Sequence, residues 1–428
     1  MSDSASDKAF NPGLLVSARR VIRQNIVNFA LMNEPKISRG LSDLLARLLQ
    51  TSGHTGRRST GKKPRICFVN STKTWGGGER WHFENAVYAS EAGFDVSFAG
   101  APESVLQNKA AEQDLSFFPI KLGNLSFLNP FKLQRLCRYF KRQAIDVLVF
   151  NGPADLKTGG IAGLRAGVPV RIYRRGLAKA PNSGFLNRFL FNYAITDFIV
   201  NSKATANLLF GEHTIPQENA RVHLLYNGLK PHPFAKSENQ MRNTLMLGNA
   251  SRFVEQKGLH YLIEMADIIR KQRDDFIIKI AGSGPLEQSL KEQTEAKNLS
   301  EFVRFPGFVN DVRGFVSDID IYVCTSVFEG FGFSIAEAMH AGRPVVAFDV
   351  SSNPEIIKDG QTGFLVPAFD VEALSEKVMM LMNDKDMRER LGKAGRSRAM
   401  EKFNKAKQQK AFCELIHSLI QRESENLR

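Results

Sequence analysis

The stretch VFEGFGFSIAEAMHAGRPVVAFDVSSNPEIIKDGQTGFLV, residues 327–366, decides the fold of this 428-residue chain. An apolar run at 321–326 precedes a Gly-Phe-Gly turn at 330–332, and a helical pattern begins at Phe333. A second apolar run at 344–349 follows the helix. Strand, turn, helix and strand in this order predict a parallel βαβ unit with a right-handed crossover.

The same alternation continues on both sides of this unit. Most of the apolar runs lack the alternating polar positions of a half-exposed strand, so we expect parallel sheets that are buried on both faces. The first series of predicted strands comprises residues 65–70, 95–100, 115–120, 146–150, 170–175, 197–201 and 222–227. The second series comprises residues 245–250, 276–282, 303–308, 321–326, 344–349 and 363–367. A polar segment with two prolines, residues 228–244, separates the series and is predicted to be an interdomain linker.

The composition excludes several classes of protein. Apolar residues make up 43% and charged residues 24% of the chain, unlike a disordered or collagen-like protein. No run approaches the roughly 18 apolar residues of a transmembrane helix, and the first ten residues do not resemble a secretory signal. The four cysteines lie far apart without a CxxC pair, so we expect a reducing compartment and neither a zinc site nor a disulfide framework.

The net charge of +14 is the unusual figure. Residues 1–65 contain 12 Lys/Arg and 4 Asp/Glu, a net charge of +8, so the remainder of the chain carries +6. Such a charge suggests nucleic acid, an anionic membrane or an acidic small molecule as partner. Because the chain has no recognisable DNA-binding helix and no aromatic–basic single-strand motif, we expect no nucleic-acid partner.

The Gly-Phe-Gly turn and two glutamates beside it form the first candidate site. Gly330, Phe331 and Gly332 are predicted to bind the ligand: the glycines would let the backbone approach it, and free N–H groups at the helix start would bind an anion. Glu329 would accept hydrogen bonds from sugar hydroxyls in the loop. Glu337, two turns along the helix, would hold a ribose diol. The alternative is an exposed helix that carries two unrelated glutamates.

This stretch, together with GNASRFVEQKGLHYLIEMA (248–266), FIIKIAGSGPLEQSL (276–290) and RFPGFVNDV (304–312), resembles the donor-binding half of the retaining nucleotide-sugar glycosyltransferases of family 4. The resemblance covers residues 64–420 and implies the α/β GT-B fold, in which two Rossmann-like domains with parallel sheets face each other. It also implies transfer of a sugar to an acceptor hydroxyl with retention at the anomeric carbon. The donor would be a UDP- or GDP-sugar, and the enzyme would need no metal and no other cofactor.

The resemblance also implies the domain organisation. Residues 64–235 would form an acceptor-binding domain and residues 240–404 a nucleotide-sugar donor domain. A helix at about 405–428 would pack back on the first domain, as it does in relatives. Residues 1–63, outside the main resemblance, are predicted to form a basic amphipathic helical extension with a linker.

The segment 248–266 is similar to the family's diphosphate-binding loop. Arg252 and Lys257 would grip the diphosphate there, because two fixed cations can stabilise the charge that develops on the leaving group. Both residues and Glu329, which would orient the sugar ring, are the predicted catalytic residues. The alternative is two solvated cations in a loop.

Two further segments would complete the nucleotide pocket. By the resemblance, Gly282 and Gly284 would line the pocket, and the backbone near Phe308 and Val309 would contact the edge of the base. For the latter segment the alternative is an ordinary turn at the end of a strand.

The first domain contributes a glycine-rich loop after its first strand. The family carries a similar loop beside the donor phosphates, so Gly76, Gly77 and Gly78 are predicted to lie there, unless they form a mere flexible turn. Glu79 would point into the cleft, or its carboxylate would favour the first turn of the following helix.

Arg174 and Arg175 occupy a place after the fifth strand where many relatives carry a histidine. A guanidinium there would stabilise the leaving phosphate or bind a phosphorylated or acidic acceptor, and a structural ion pair is an equal alternative. Asp318 and Asp320 imitate the metal-binding D-x-D pair of a different fold. Since Asp320 precedes a buried strand, we expect it to be structural and predict no metal site.

The predicted function is transfer of a sugar to a glycan or lipid-linked acceptor, in the synthesis of bacterial lipopolysaccharide or another envelope polysaccharide. Two other functions stay open. A GT-B nucleotide-sugar 2-epimerase would convert the donor alone, which a donor-only product assay detects. A non-catalytic nucleotide-sugar-binding subunit of a glycosyltransferase complex would leave the donor intact in the presence of a correct acceptor.

The basic extension predicts a cytoplasmic protein that is peripheral on the inner face of the membrane. Its leucines at 41, 44, 45, 48 and 49 follow a helical period, and each Lys/Arg near an anionic surface contributes about 1 kcal/mol. Removal of residues 1–60 should therefore reduce co-sedimentation with anionic liposomes. If the shortened chain sediments as the full chain does, the extension instead docks on the enzyme or a second subunit, or is a loose tail.

Overall fold

The computed structural model describes residues 63–181, 185–209, 221–231 and 243–426. The basic extension predicted over residues 1–63 therefore lies almost entirely outside the described residues, as does most of the linker predicted over 228–244. The described chain forms two parallel sheets flanked by helices, each with its own hydrophobic core.

The first sheet contains seven parallel strands in the order β3-β2-β1-β4-β5-β6-β7. These strands are β1 (Arg65–Asn70), β2 (Asp95–Gly100), β3 (Ser116–Pro119), β4 (Val147–Phe150), β5 (Val170–Arg175), β6 (Asp197–Val200) and β7 (Val222–Leu224). The helices between them are α1 (Gly77–Glu91), α2 (Val105–Ala111), α3 (Pro130–Arg142), α4 (Pro153–Ala166), α5 (Phe185–Phe189) and α6 (Lys203–Leu209). A 3-10 turn at Ser126–Leu128 precedes α3, and a π-helical turn at Leu190–Ala194 follows α5.

The second sheet contains six parallel strands in the order β10-β9-β8-β11-β12-β13. These strands are β8 (Leu245–Ala250), β9 (Phe276–Ala281), β10 (Val303–Gly307), β11 (Ile321–Cys324), β12 (Val345–Phe348) and β13 (Phe364–Val366). The helices are α7 (His260–Ile269), α8 (Glu287–Ala296), α9 (Val312–Ser317), α10 (Phe333–His340), α11 (Asn353–Ile356), α12 (Val371–Asn383), α13 (Lys385–Lys402) and α14 (Lys405–Glu425). A 3-10 turn spans Glu255–Lys257.

The α/β class with two parallel sheets is confirmed, and each predicted strand is present. Every residue of β4, β11 and β12 is buried, as expected for strands with helices on both faces. In each sheet the strand order reverses beside the first strand, between β1 and β4 and between β8 and β11. Ligands of such sheets bind beyond the carboxyl ends of the strands at this switch point.

Two chain segments join the domains and pair with each other. The amide of Leu229 donates to the Phe403 carbonyl (2.7 Å), and the amide of Lys405 donates to the Leu229 carbonyl (2.9 Å). A β-carbon on Gly228 would lie 2.5 Å from the Cα of Lys405, so only glycine permits this approach. The outgoing and returning segments therefore cross between the domains side by side.

The C-terminal helix α14 packs on the first domain. Its residues Phe412 and Ile416 are fully buried in the core on one face of the first sheet. The Phe412 ring lies against Trp81 of α1 and Phe68 of β1, with centroids 5.5 and 6.0 Å apart. The hydrophobic core on this face of the sheet is thus completed by a helix that follows the whole second domain in the sequence.

A charged cluster holds the end of α14 against β6. Asp197 is fully buried and accepts two hydrogen bonds from the Arg422 guanidinium (3.1 and 2.9 Å) and shares one with His223 (2.9 Å). Burial by itself would raise the pKa of Asp197, but the hydrogen bonds from His223 and Arg422 outweigh it and hold that pKa below its usual range. The ionised carboxylate therefore stabilises the docked helix.

We expect Asp197→Asn to lower the free energy of unfolding by about 1.5–3 kcal/mol at neutral pH, because it weakens hydrogen bonds to a charged group. A lowered pKa in the folded state stabilises above the unfolded pKa, about 3.9, and this contribution is lost as the pH falls. The difference in unfolding temperature between the two proteins should therefore shrink in acid.

Differential scanning calorimetry across this pH range measures the effect. Asp95→Asn is the matched control, because the Asp95 side chain is 56% exposed in its ion pair with Arg65 and should contribute little. A difference between wild type and Asp197→Asn that stays constant with pH would contradict the assignment.

Candidate active site

The loops after β8 and β11 are joined at the switch point of the second sheet. The Thr325 hydroxyl donates to the Lys257 carbonyl (3.1 Å), and the Gln256 side-chain amide donates to the Phe328 carbonyl (2.9 Å). The amide of Val327 in turn donates to the Gln256 carbonyl (2.9 Å). These bonds fix the two loops that carry the predicted catalytic residues relative to each other.

Lys257 and Glu329 form an ion pair between these loops, in which Glu329 is buried and Lys257 is half-buried. The Lys257 Nζ donates to Glu329 Oε1 (2.5 Å), and the Ser326 hydroxyl donates to the same oxygen (2.8 Å). Only 6% of Glu329 is exposed, and its main-chain carbonyl accepts a bond from the Ser352 hydroxyl (3.1 Å). In the described part of the chain no side chain or amide bonds to Oε2. The carboxylate is thus held by one oxygen and can offer the other to a ligand.

Sequence reasoning singled out Lys257 and Glu329 but missed Ser326. A buried ion pair is stable only when further hydrogen bonds satisfy its remaining atoms, and Ser326 provides one of them. Ser326 lies three residues before Glu329 and just after an apolar strand, and this position could have indicated its contact with the carboxylate.

Arg252 lies in the loop directly after β8, and its side chain is exposed. Over the ranges that the structure describes, the guanidinium makes no hydrogen bond and no ion pair. Lys257 and Glu329 are therefore brought into contact by the fold, whereas Arg252 stands at the rim with its donors directed to solvent or to a ligand.

Gly282 and Gly284 press against the Arg252 loop. Their φ angles are +140° and +157°, and β-carbons there would lie 1.8 Å from the Ser251 carbonyl oxygen and 2.5 Å from the Phe253 carbonyl oxygen. The amide of Phe253 also donates to the Ser283 carbonyl (2.9 Å). The structure thus shows that these two glycines pack directly against the backbone of the loop that carries Arg252.

The Gly-Phe-Gly turn precedes helix α10 as predicted. Gly332 has a φ of +82° at the N-cap position, a left-handed conformation that favours glycine. The Phe331 side chain is only 2% exposed and packs against the rings of Tyr226 and Phe403. A ligand can therefore meet Phe331 only through its backbone, and the side chain belongs to the core.

Glu337 lies in the second turn of α10 and is half-buried. Burial raises the pKa of Glu337 above its usual value, and the positive charges of Arg80 and Arg313 act against this shift. Arg80 belongs to α1 of the first domain, so Glu337 faces the cleft between the domains. Val309 follows β10, two strands from β8, and its contact with a base stays a prediction.

The glycine-rich loop of the first domain lies at the switch point of its sheet. Gly76 precedes α1, and a β-carbon on Gly78 would lie 2.7 Å from the Asn151 side-chain oxygen. The Asn151 amide group donates to Glu79 Oε1 (2.8 Å), which joins the loops after β1 and β4. Glu79 is buried, and Asn151 is a site residue that sequence reasoning missed. On the opposite domain, the Phe333 ring lies 3.8 Å from where a β-carbon on Gly77 would stand.

Arg174 and Arg175 are both buried at the end of β5. Arg174 donates to the Asn227 side-chain oxygen (3.2 Å), and its guanidinium stacks over the Trp81 ring at 5.0 Å. Burial lowers the pKa of Arg174 to about 10, so it stays charged at neutral pH. Arg175 donates to the Tyr173 hydroxyl (3.3 Å) and to a main-chain carbonyl. Both guanidinium groups thus have protein partners, and their action on an acceptor stays a prediction.

The two domains touch beside the site. A β-carbon on Gly330 would lie 2.2 Å from the Gly176 carbonyl oxygen of the first domain. Glu355 of the second domain accepts hydrogen bonds from the amides of Lys203 (2.8 Å) and Ala204 (2.9 Å) and from the Tyr226 hydroxyl (3.1 Å). Sequence reasoning missed Glu355, because its partners are more than a hundred residues away in the chain.

Asp318 and Asp320, which imitate a metal-binding D-x-D pair, both contact neighbouring strands or side chains of the second domain. Asp320 accepts a hydrogen bond from the Met246 amide (2.8 Å), and Asp318 forms an ion pair with Lys279 (2.8 Å). Within residues 63–426, where described, no group of three His, Cys, Asp or Glu side chains is placed to hold a metal ion. None of the helices in those ranges is long and apolar enough to cross a membrane.

Fold and site together define a two-domain protein with a ligand cleft between parallel sheets. Residues 234–398 match the model of the family "Glycosyl transferases group 1". The chain also resembles the solved structure of Anabaena HepE in complex with UDP and glucose, with a TM-score of 0.70 and 21% identity over 83% of this chain and 100% of that chain. This likeness shows the GT-B fold. The match to the family model covers 165 of the 428 residues of this chain.

Two curated relatives come from Staphylococcus aureus. The poly(ribitol-phosphate) alpha-N-acetylglucosaminyltransferase of strain COL is 31% identical over 160 residues, which are 37% of this chain and 32% of that protein. The capsular polysaccharide biosynthesis glycosyltransferase CapM is 26% identical over 309 residues, which are 67% of this chain and 80% of that protein. The chain thus spans about a third of the first relative and four fifths of the second.

We expect Gly282→Ala to lower the free energy of unfolding by about 1–3 kcal/mol more than Gly360→Ala does, because the new methyl group at 282 would overlap the Ser251 carbonyl. Gly360→Ala is the matched control: its φ is +68°, but no atom lies within 4 Å of the new methyl group. Thermal unfolding measures both variants. An equal loss of stability in the two would show that the Arg252 loop does not depend on this contact.

Proposed function

We propose that this protein is a retaining glycosyltransferase that moves a sugar from a nucleoside-diphosphate sugar to a hydroxyl of a glycan or lipid-linked acceptor. The process it serves would be synthesis of a bacterial envelope polysaccharide or lipopolysaccharide. The observation that carries the proposal is the Lys257–Glu329 pair at the switch point of the second sheet. The likeness to CapM, a capsular polysaccharide biosynthesis glycosyltransferase, and to HepE, solved in complex with UDP and glucose, supports the substrate class.

The second domain would bind the donor. Departure of the diphosphate builds negative charge, and Lys257, Arg252 and the free amides at the start of α10 supply positive potential around it. Glu337 would hold the ribose. We propose a UDP- or GDP-sugar as donor and no metal, since the two cations perform the charge neutralisation that a metal ion performs elsewhere.

Glu329 would orient the sugar through Oε2 while Lys257 and Ser326 hold Oε1. The acceptor would approach from the first domain, past the loop at Gly76–Gly78. In a same-face mechanism a donor phosphate oxygen takes the acceptor proton, and the sugar keeps its anomeric configuration. Contact between the domains at Gly330 and Gly176 would exclude water, the competing acceptor. A peripheral position on the inner face of the cytoplasmic membrane, aided by residues 1–60, belongs to the same proposal.

We expect Glu329→Gln and Lys257→Ala each to lower the rate of nucleoside-diphosphate release by about 10² or more, the scale of one lost transition-state contact. A thermal-shift panel of UDP-, GDP- and ADP-sugars first identifies the donor, because a ligand of the folded state raises the unfolding temperature. Release is then measured from that donor with candidate acceptors and with water.

Glu376→Gln and Lys385→Ala are matched controls, since both side chains are exposed on the second domain. Both controls should release diphosphate as the wild type does. Normal release by folded Glu329→Gln and Lys257→Ala would overturn the site, and conversion of the sugar without diphosphate release would indicate an epimerase.

A further inference from the structure

The positive charge outside the N-terminal extension is concentrated in one segment of the first domain. Residues 121–142, KLGNLSFLNPFKLQRLCRYFKR, contain six basic residues and no Asp or Glu. Residues 66–428 carry a net charge of +6, so the part of this range outside 121–142 has a net charge of zero. The six cations are Lys121, Lys132, Arg135, Arg138, Lys141 and Arg142.

The same segment exposes large apolar side chains. Leu125 is 72% exposed, Leu128 56% and Phe131 80%. Leu125 precedes the 3-10 turn and Leu128 is its last residue, so the two lie on the same side, and Phe131 follows three residues later. In contrast, Phe127 and Leu133 pack into the core beneath. The turn thus anchors itself with one set of apolar residues and presents another to solvent.

Helix α3 continues this surface with cations. Phe131, Arg135, Arg138 and Arg142 are spaced four, three and four residues apart, which places them along one face of the helix. The opposite face carries Leu133, Leu136 and Phe140, which are buried against the domain core. We call the exposed residues Leu125, Leu128, Phe131, Arg135, Arg138 and Arg142 the α3 surface.

We propose that the α3 surface binds an anionic lipid bilayer. Apolar side chains at its tip would enter the boundary between headgroups and acyl chains, and the arginines behind them would lie among the lipid phosphates. The charge argues for this occupant over a second copy of the chain, because two such surfaces without an acid would repel each other. This binding rests on the membrane position in the proposed function and assigns it a surface, and it can be measured without donor or acceptor, apart from catalysis.

The location of the α3 surface suits a membrane-facing cleft. The segment begins after the carboxyl end of β3, and the glycine-rich loop follows the carboxyl end of β1. All strands of this sheet are parallel, so the start of the segment and the glycine-rich loop lie at the same edge, and strands β3 and β1 are two strands or about 10 Å apart. A bilayer on the apolar tip of the α3 surface would therefore lie on the same side of the domain as the mouth of the cleft.

The test uses the full chain in flotation assays with vesicles of phosphatidylcholine alone or of phosphatidylcholine mixed with phosphatidylglycerol. The variant Arg138→Glu with Arg142→Glu should bind the anionic vesicles at least about tenfold more weakly than wild type, and the change should shrink at high salt. Neither arginine forms an ion pair within the described ranges, so the variant should fold. Arg390→Glu with Lys393→Glu on α13 makes the same charge change in the other domain and should bind as wild type does.

Insertion of the α3 surface into the bilayer is measured separately by the tryptophan fluorescence of Phe131→Trp. Its added emission should shift to shorter wavelength with anionic vesicles, whereas Met380→Trp, at a 40% exposed position of α12, should not respond. Three results would each overturn the proposal: equal vesicle binding by the α3 variant and wild type, an equal loss in the α13 control, or no shift for Phe131→Trp. A dimer that dissociates in the α3 variant, with vesicle binding unchanged, would identify a second copy as the occupant.

Discussion

The Lys257–Glu329 ion pair joins the loops after β8 and β11 at the switch point of the second sheet. Taking two charges out of water is costly, and the cost is met only because Ser326 adds a bond and three further hydrogen bonds hold the loops together. The glycines at 282 and 284 then support the neighbouring Arg252 loop, and Gly330, next to Glu329, touches the first domain. The ion pair thus lies between the loop that these glycines support and the turn that touches the first domain.

The fold could be predicted from sequence because its strands are short, apolar and buried on both faces. The runs at β5 and β11, for example, have the bounds expected from hydrophobicity to within two residues. Strand order could not be read in this way, since it depends on pairing between distant segments. It follows instead from general rules for right-handed parallel crossovers and from the family resemblance.

The candidate site was predicted in part. The family resemblance singled out Lys257 and Glu329, and the Gly-Phe-Gly turn singled out Gly332, whose φ of +82° favours glycine. They did not indicate Asn151 or Glu355, whose partners belong to other elements. Phe331 was predicted to contact the donor, and packing places its ring in the core, so that contact would be made by its backbone.

The docking of α14 on the first domain has a consequence for biosynthesis. Phe412 fills the core beside Phe68, and Arg422 neutralises Asp197, yet both follow the entire second domain in the order of translation. The first domain is therefore synthesised with an open apolar face and without the Arg422 partner of Asp197, and both are completed only some two hundred residues later. Such a half-built sheet is the stage at which a nascent chain is most prone to aggregate.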